Sequence, residues 1–196
     1  MDTYMADVDI LKDEIKKSIA VKQALLEDEK MLALVSKVSD VCVDCYQNGG
    51  KMLVCGNGGS ASDAQHMTGE LVGRYLKERD GLPAIALDTN TTVLTALGND
   101  YSYDEAYMKE VIALGRPGDV LFVISTSGNS RNCCLAADKA KEMGLVTVAL
   151  TGKSGGDLKN ICDYTFNVDS SETPRIQETH ILIIHMICGM IESKYF

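Results

Sequence analysis

Only three prolines (Pro83, Pro117 and Pro174) interrupt the 196 residues, and no stretch is of low complexity or rich in Pro, Gly and Ser. With no linker of that kind, one domain over residues 1–196 is expected. No run approaches the roughly 18 consecutive apolar residues of a membrane span. The opening MDTYMADVDILKDE is acidic where a signal peptide is basic, so a cytoplasmic protein without membrane contact is expected. Basic residues are in deficit: 19 Lys and Arg stand against 28 Asp and Glu, a net charge of -9. That sign opposes binding to a phosphate backbone, and no nucleic-acid partner is expected. The loop Gly56–Ser62 (GNGGSAS) lacks both the full G-x-G-x-x-G pattern and the Lys-Ser/Thr of a P-loop, which removes support for a nucleotide.

What is present is apolar and regularly punctuated. An apolar fraction of 45% suffices for a chain of this length to bury a core without staples. The seven cysteines are odd in number, and no two pairs stand at C-x2-C spacing. Cys42, Cys45, Cys55, Cys133, Cys134, Cys162 and Cys188 lie mostly among apolar neighbours, where a reduced thiol packs as a small hydrophobe. From Asp7 to about Glu29 and from Met31 to Tyr46, apolar residues recur at helical spacing. After Gly50 the period changes. Short apolar runs at Lys51–Cys55, Ala84–Leu87, Val120–Ile124, Val146–Leu150 and Tyr164–Val168 each lead into a polar or glycine-rich loop, and most are followed by helical spacing. This alternation predicts an α/β fold, a parallel sheet covered by helices on both faces. An apolar stripe left on the first helices would be buried by self-association.

In such a sheet, ligands bind beyond the carboxyl ends of the strands. Ser125–Ser130 (STSGNS) follows a strand and precedes a helix near Arg131. Its hydroxyls, its glycine and the N–H groups of a helix start suit a phosphate, although the same residues also cap helices and make turns. Asn57, Gly58 and Gly59 could present amides to a sugar or phosphate, or simply form a tight turn. His66 and Glu70 are four apart on the next helix, a spacing that lets both reach one metal or substrate but by itself is more often an ordinary surface pair. Near the carboxyl end, Gln177 and His185 are about 80° apart at about 100° per residue, whereas His180 is about 140° from His185. The run Ile181–Met190 (ILIIHMICGM) predicts a buried His185 in need of partners.

The segments CGNGGSASDAQHMTGELVGRY, LTALGNDY, ISTSGNS, LTGKSGG and TPRIQETHILIIH resemble, in order, motifs of the sugar isomerase (SIS) domain family, from about Val38 to the carboxyl end. The resemblance implies a Rossmann-like three-layer fold with a five-stranded parallel sheet. Residues 1–48 would be a helical extension packing in a homotetramer with active sites between subunits. It further implies one zinc ion per subunit on His66, Glu70, Gln177 and His185. Substrate contacts would fall on Asn57, Gly58, Gly59, Glu70, Asn99, Asp100, Ser125, Thr126, Ser127, Ser130 and Gln177. The implied reaction converts sedoheptulose 7-phosphate to D-glycero-D-manno-heptose 7-phosphate, the first step of nucleotide-activated heptose synthesis, with Glu70 as candidate base and His185 as candidate acid. Two alternatives remain: an isomerase for another phosphosugar, and a non-catalytic branch of the family that binds the replication initiator protein. Pro174 stands where some members carry an acid.

Overall fold

In the computed structural model, five short strands lie parallel in one sheet of order β2-β1-β3-β4-β5. They are β1 (Met52–Gly56), β2 (Ala84–Ala86), β3 (Val120–Ser125), β4 (Val146–Thr151) and β5 (Tyr164–Asn167). The structure describes residues 2–196, with side chains from Asp7 onward; Met1, the first residue of the expected 1–48 segment, lies outside the described residues. Helices α1 (Asp2–Glu27) and α2 (Glu29–Gln47) precede the sheet, and α3 (Gly59–Val72) follows β1. Next come α4 (Thr91–Asp100), α5 (Ala106–Leu114), α6 (Arg131–Glu142), the short α7 (Leu158–Ile161) and α8 (Thr173–Tyr195).

Alternate side chains of each central strand serve opposite cores, as the pleat requires. Met52, Val54, Phe122 and Ile124 pack with Val38, Cys42, Met67, Leu71, Ile183 and Ile187 from α2, α3 and α8. Leu53, Cys55, Leu121 and Val123 pack with Tyr107, Val111, Cys133, Ala136 and Ala140 from α5 and α6. The three layers follow directly, and all seven cysteines are free and buried within them. Burial pushes the Cys45 and Cys162 thiols up to about 11 and about 12, so they stay protonated and act as apolar filler.

Three expectations are corrected. The polar stretch after β2 is largely helical: Asn90 caps α4 by accepting the Val93 N–H at 3.1 Å, so Asn99 and Asp100 close a helix. Threonines and a β-branched valine mask its helical period. The helical spacing after Ser60 runs on to about Tyr75, but α3 stops at Val72, because Gly73 ends it and the following N–H groups turn to Glu192. His185 is half-buried, and the enclosed histidine is His180.

Along α1, Ile10, Leu11, Ile15 and Ile19 remain 59–63% exposed. Its anchor is Arg175 at the start of α8, which donates to Glu14 O at 2.9 Å and to Glu14 Oε2 at 2.8 Å. No helix among the described residues is long and apolar enough to cross a membrane.

One buried carboxyl lacks full support. Glu110 on α5 is 7% exposed, and its Oε1 has no hydrogen-bond partner; Asp88 Oδ1, beyond β2, is likewise unpartnered. Burial, with a smaller push from the Asp88 charge, raises Glu110 from 4.5 to about 7. The folded protein therefore holds a proton that the unfolded chain has already released. Stability from this group is full below pH 4.5 and falls as pH rises through 7, by about 2 kcal/mol once solvent screening is allowed for. Glu110→Gln should raise Tm by roughly 5 °C at pH 8 and by little at pH 4.5. Thermal melts at the two pH values check this; an equal gain at both would make the effect one of packing.

Candidate active site

The strand order reverses direction between β1 and β3, and in doubly wound sheets the crevice beyond that point is where ligands sit. The loops leaving these two strands are Gly56–Ser62 and Ser125–Ser130. Helix α3, which opens in the first of these loops, and α8 bring together three side chains able to ligate a metal. Glu70 lies one turn after His66, with His66 Nε2 3.0 Å from Glu70 Oε1. From α8, His185 Nε2 approaches His66 Nε2 at 2.9 Å. The donor atoms of the three all lie within 4.8 Å of one another. Two imidazole nitrogens and a carboxylate oxygen form the donor set of a divalent transition metal, and the side chains present fit one. His180, five positions before His185, points elsewhere: its Nε2 meets Thr151 O at 3.1 Å, and burial pushes it down to about 4, so it stays neutral.

A clamp missed by sequence reasoning backs this cluster. Glu192 of α8 accepts the N–H groups of Tyr75, Leu76 and Lys77 at 3.2, 2.7 and 2.8 Å, and the Arg79 Nε at 3.0 Å. Arg79 in turn donates to the main-chain oxygens of Glu70 and Leu71, at 2.7 and 2.8 Å, and of Gly73 at 3.0 Å. Both charged side chains are almost fully enclosed, at 3% and 2% exposure. Burial alone would raise the Glu192 carboxyl, but these donors outweigh it and hold it below the usual range. The loop so fixed lays the Tyr75 ring on His185, with centroids 5.7 Å apart and planes 18° from parallel.

The serine loop is built as a cradle. Ser125 Oγ lies 2.8 Å from Ser130 Oγ and 3.4 Å from Ser127 Oγ, while the Asn129 N–H donates to Ser127 Oγ at 3.1 Å. Gly128 has φ +70°, and a Cβ there would stand 2.1 Å from Gly155 O, so only glycine fits. No side chain caps the start of α6. Thr126, Ser127 and Asn129 share an open cavity of about 480 Å³ with Lys153, whose Nζ pairs with Asp169 at 2.7 Å. Lys153 is a cation beside the cradle that the loop's own composition does not reveal.

The remaining candidates are placed as follows. Gln177 rests on Gly59, where a Cβ would lie 2.5 Å from its Nε2. Gly58 adopts φ +57° at the start of α3. Asn57 pairs with Asn132 and Tyr103 rather than standing free. Asn99 and Asp100 are exposed at the end of α4, where Asn99 Nδ2 donates to Asp100 Oδ1 at 2.8 Å; no hydrogen bond joins them to the other candidates among the described residues. Pro174 sits in the first turn of α8, where its missing N–H costs nothing.

This chain belongs to the SIS domain family, whose pattern matches residues 15–152. It is 49% identical to the phosphoheptose isomerase of Aneurinibacillus thermoaerophilus over 188 residues, 96% of this chain and 95% of that relative. Two solved structures align over nearly the whole chain. A phosphoheptose isomerase from Francisella tularensis matches with TM-score 0.91 at 38% identity, covering 95% of this chain and 98% of that one. That from Neisseria gonorrhoeae matches with TM-score 0.89 at 42% identity, covering 94% and 98%.

Proposed function

We propose that this chain is an aldose–ketose isomerase that converts sedoheptulose 7-phosphate to D-glycero-D-manno-heptose 7-phosphate. The observation that carries this is the meeting of Glu70 with two imidazoles, in a chain alike over nearly its whole length to phosphoheptose isomerases. Moving the carbonyl from C2 to C1 takes a proton from C1, forms an enediol and places a proton on C2. Glu70 removes that proton, which exchanges with solvent while the enediol lasts, and the same carboxyl delivers a proton to C2. O2 must gain a proton and O1 lose one, and His185 is the residue assigned to that exchange. A zinc ion, one per subunit on His66, Glu70, Gln177 and His185, would polarise the sugar oxygens and stabilise charge developing on them.

Ser125, Thr126, Ser127 and Ser130 hold the phosphate, and binding energy at that remote end positions C1 and C2. Asn57, Gly58, Gly59, Asn99, Asp100 and Gln177 complete the sugar contacts. Because no hydrogen bond among the described residues joins Asn99 and Asp100 to the other candidates within one chain, they suit a homotetramer with sites between subunits, and the exposed apolar stripe of α1 is a surface for that assembly. The chain acts as one domain, residues 1–196, with 1–48 as its helical extension. Seven free thiols suit the reducing cytoplasm, and the product would feed heptose-containing glycans such as lipopolysaccharide or capsule.

Ser127→Ala should raise KM roughly tenfold and leave kcat within about twofold, the loss of one hydrogen bond to a charged ligand. Steady-state kinetics check this, and an unchanged KM would remove Ser127 from the phosphate site. For the function itself, purified protein is incubated with sedoheptulose 7-phosphate and followed by NMR, after metal stripping and after zinc restoration, with bound metal quantified in each sample. Formation of the aldoheptose phosphate in the zinc-restored sample is expected. Failure of the folded, zinc-loaded protein to form it would turn the search to other phosphosugars and then to partner binding.

A further inference from the structure

Two side-chain amides, from residues 75 positions apart in the chain, are locked face to face between the two ligand loops. Asn57, directly after β1, donates from Nδ2 to Asn132 Oδ1 at 2.9 Å and receives Asn132 Nδ2 on its own Oδ1 at 2.8 Å. Its Oδ1 also accepts the Tyr103 hydroxyl at 2.8 Å, and its Nδ2 faces Cys133 Sγ at 3.8 Å. Both donors and both acceptor positions of the Asn57 side chain are thus occupied by protein, and only its main chain is left for a ligand. Asn132, the second residue of α6, is 3% exposed, and its Oδ1 takes the Cys133 N–H at 2.9 Å as well. Tyr103 lies in the short 3-10 turn Tyr103–Glu105, three residues after Asp100.

The knot therefore joins three segments: the turn that starts α3, the helix start below the serine loop, and the chain that follows Asn99 and Asp100. The turn matters to the reacting end. Gly59 supports Gln177, and α3, which carries His66 and Glu70, begins at that residue. An amide pair in which every side-chain position of Asn57 is filled and Asn132 is buried has few alternative arrangements, so it fixes its loops more tightly than a solvated contact would.

We propose that Asn132 and Tyr103 are positioning residues of the isomerase, acting through Asn57 to hold the Gly56–Gly59 turn in register with the serine loop. This rests on the isomerase function proposed above. Neither residue needs to touch substrate. Their removal should lower kcat while KM, set largely by the phosphate cradle, changes little.

The test compares wild type with Asn132→Ala, Tyr103→Phe, Asn57→Ala and the double variant Asn57→Ala/Asn132→Ala, using sedoheptulose 7-phosphate, with Tm measured for each. Asn132→Ala should lower kcat roughly 30-fold with KM within about threefold, in keeping with the cost of a misplaced reacting group. Tyr103→Phe removes only a hydroxyl from a half-exposed ring, so it should fold as wild type does and lose roughly fivefold in kcat. The double variant should be no worse than the worse single, because each single already breaks the same pair. Fold-losses that multiply in the double variant would overturn the proposal. So would a lowered Tm with wild-type kcat in Asn132→Ala and Tyr103→Phe, which would make the pair merely structural. If wild type is silent on this substrate, the isomerase function and the positioning role fall together; if wild type is active and the variants match it, the positioning role alone falls.

Discussion

Glu70→Gln is expected to lower kcat at least roughly 1,000-fold while Tm stays within a few degrees of wild type. The substitution keeps the side chain's shape and its place one turn from His66, but it removes the group proposed to take a proton from carbon, a step worth up to about 10⁴-fold. Folding should be spared because the main chain at this residue is held from outside, through the Arg79 donation to Glu70 O. His185→Asn should be comparably silent, since it deletes both a member of the ligating triad and the ring on which Tyr75 stacks. Steady-state and single-turnover rates on the folded variants check both. A kcat within tenfold of wild type in either would remove that residue from the chemistry. Metal content separates the two roles: a variant that binds zinc as wild type does and still fails to turn over has lost proton transfer and not ligation.

The second large effect is on stability. Glu192 and Arg79 are enclosed together, and Glu192 also satisfies three consecutive N–H groups of the Tyr75 loop. Removing one member of a buried pair leaves the other charge uncompensated, at a cost of about 3–5 kcal/mol. Glu192→Gln should therefore lower Tm by roughly 10 °C. The same variant should change the acid limb of the stability profile. A carboxyl held below 4.5 in the folded protein contributes stability that is present above 4.5 and lost as pH falls through its depressed value. Wild type should lose Tm steeply in that acid range, and Glu192→Gln should be flatter there. Melts across pH 3 to 7 measure this. A variant with wild-type Tm and an unchanged acid limb would show that the clamp is not what fixes the loop. Activity should fall as well, since the released loop no longer presses Tyr75 on His185.

Local pattern foretells the strands well, because each is a short, mostly apolar run cut off by glycine, a hydroxyl residue or aspartate, and no observed end differs by more than one position. The pairing of His66 with Glu70 is legible for the same reason, since one helix turn fixes their separation. That His185 joins them, while His180 does not, is consistent with the turn arithmetic along α8. The degree of burial is less legible. A run such as Ile181–Met190 suggests enclosure on all sides, yet α8 turns Ile183, Ile184, Ile187 and Cys188 to the core and leaves His185 at the rim. Helix α4 is obscured by its threonines, and its cap, Asn90, reads equally well as a turn residue.

The supports of the site are the least visible part. Glu192 with Arg79, and Asn57 with Asn132, join residues 113 and 75 positions apart, and no local spacing marks either member. An exposed-looking Lys-Glu-Arg-Asp stretch gives no hint that its arginine is buried. Lys153 enters the neighbourhood of the serine loop only because β4 lies next to β3 in the sheet. Such contacts follow from topology, so candidate ligand-facing residues can be named without it while the residues that hold them cannot.

In the proposed reaction Glu70 passes a proton between two adjacent carbons of a sugar phosphate. It is tested most directly by running the zinc-loaded protein with sedoheptulose 7-phosphate in D2O and reading C2 of the aldose by NMR. Deuterium at C2, present with wild type and absent with Glu70→Gln, is the predicted result. Aldose formed with protium retained at C2 after many turnovers would mean that hydrogen moves without a base that exchanges with solvent, and would contradict proton transfer through a solvent-exchanging Glu70.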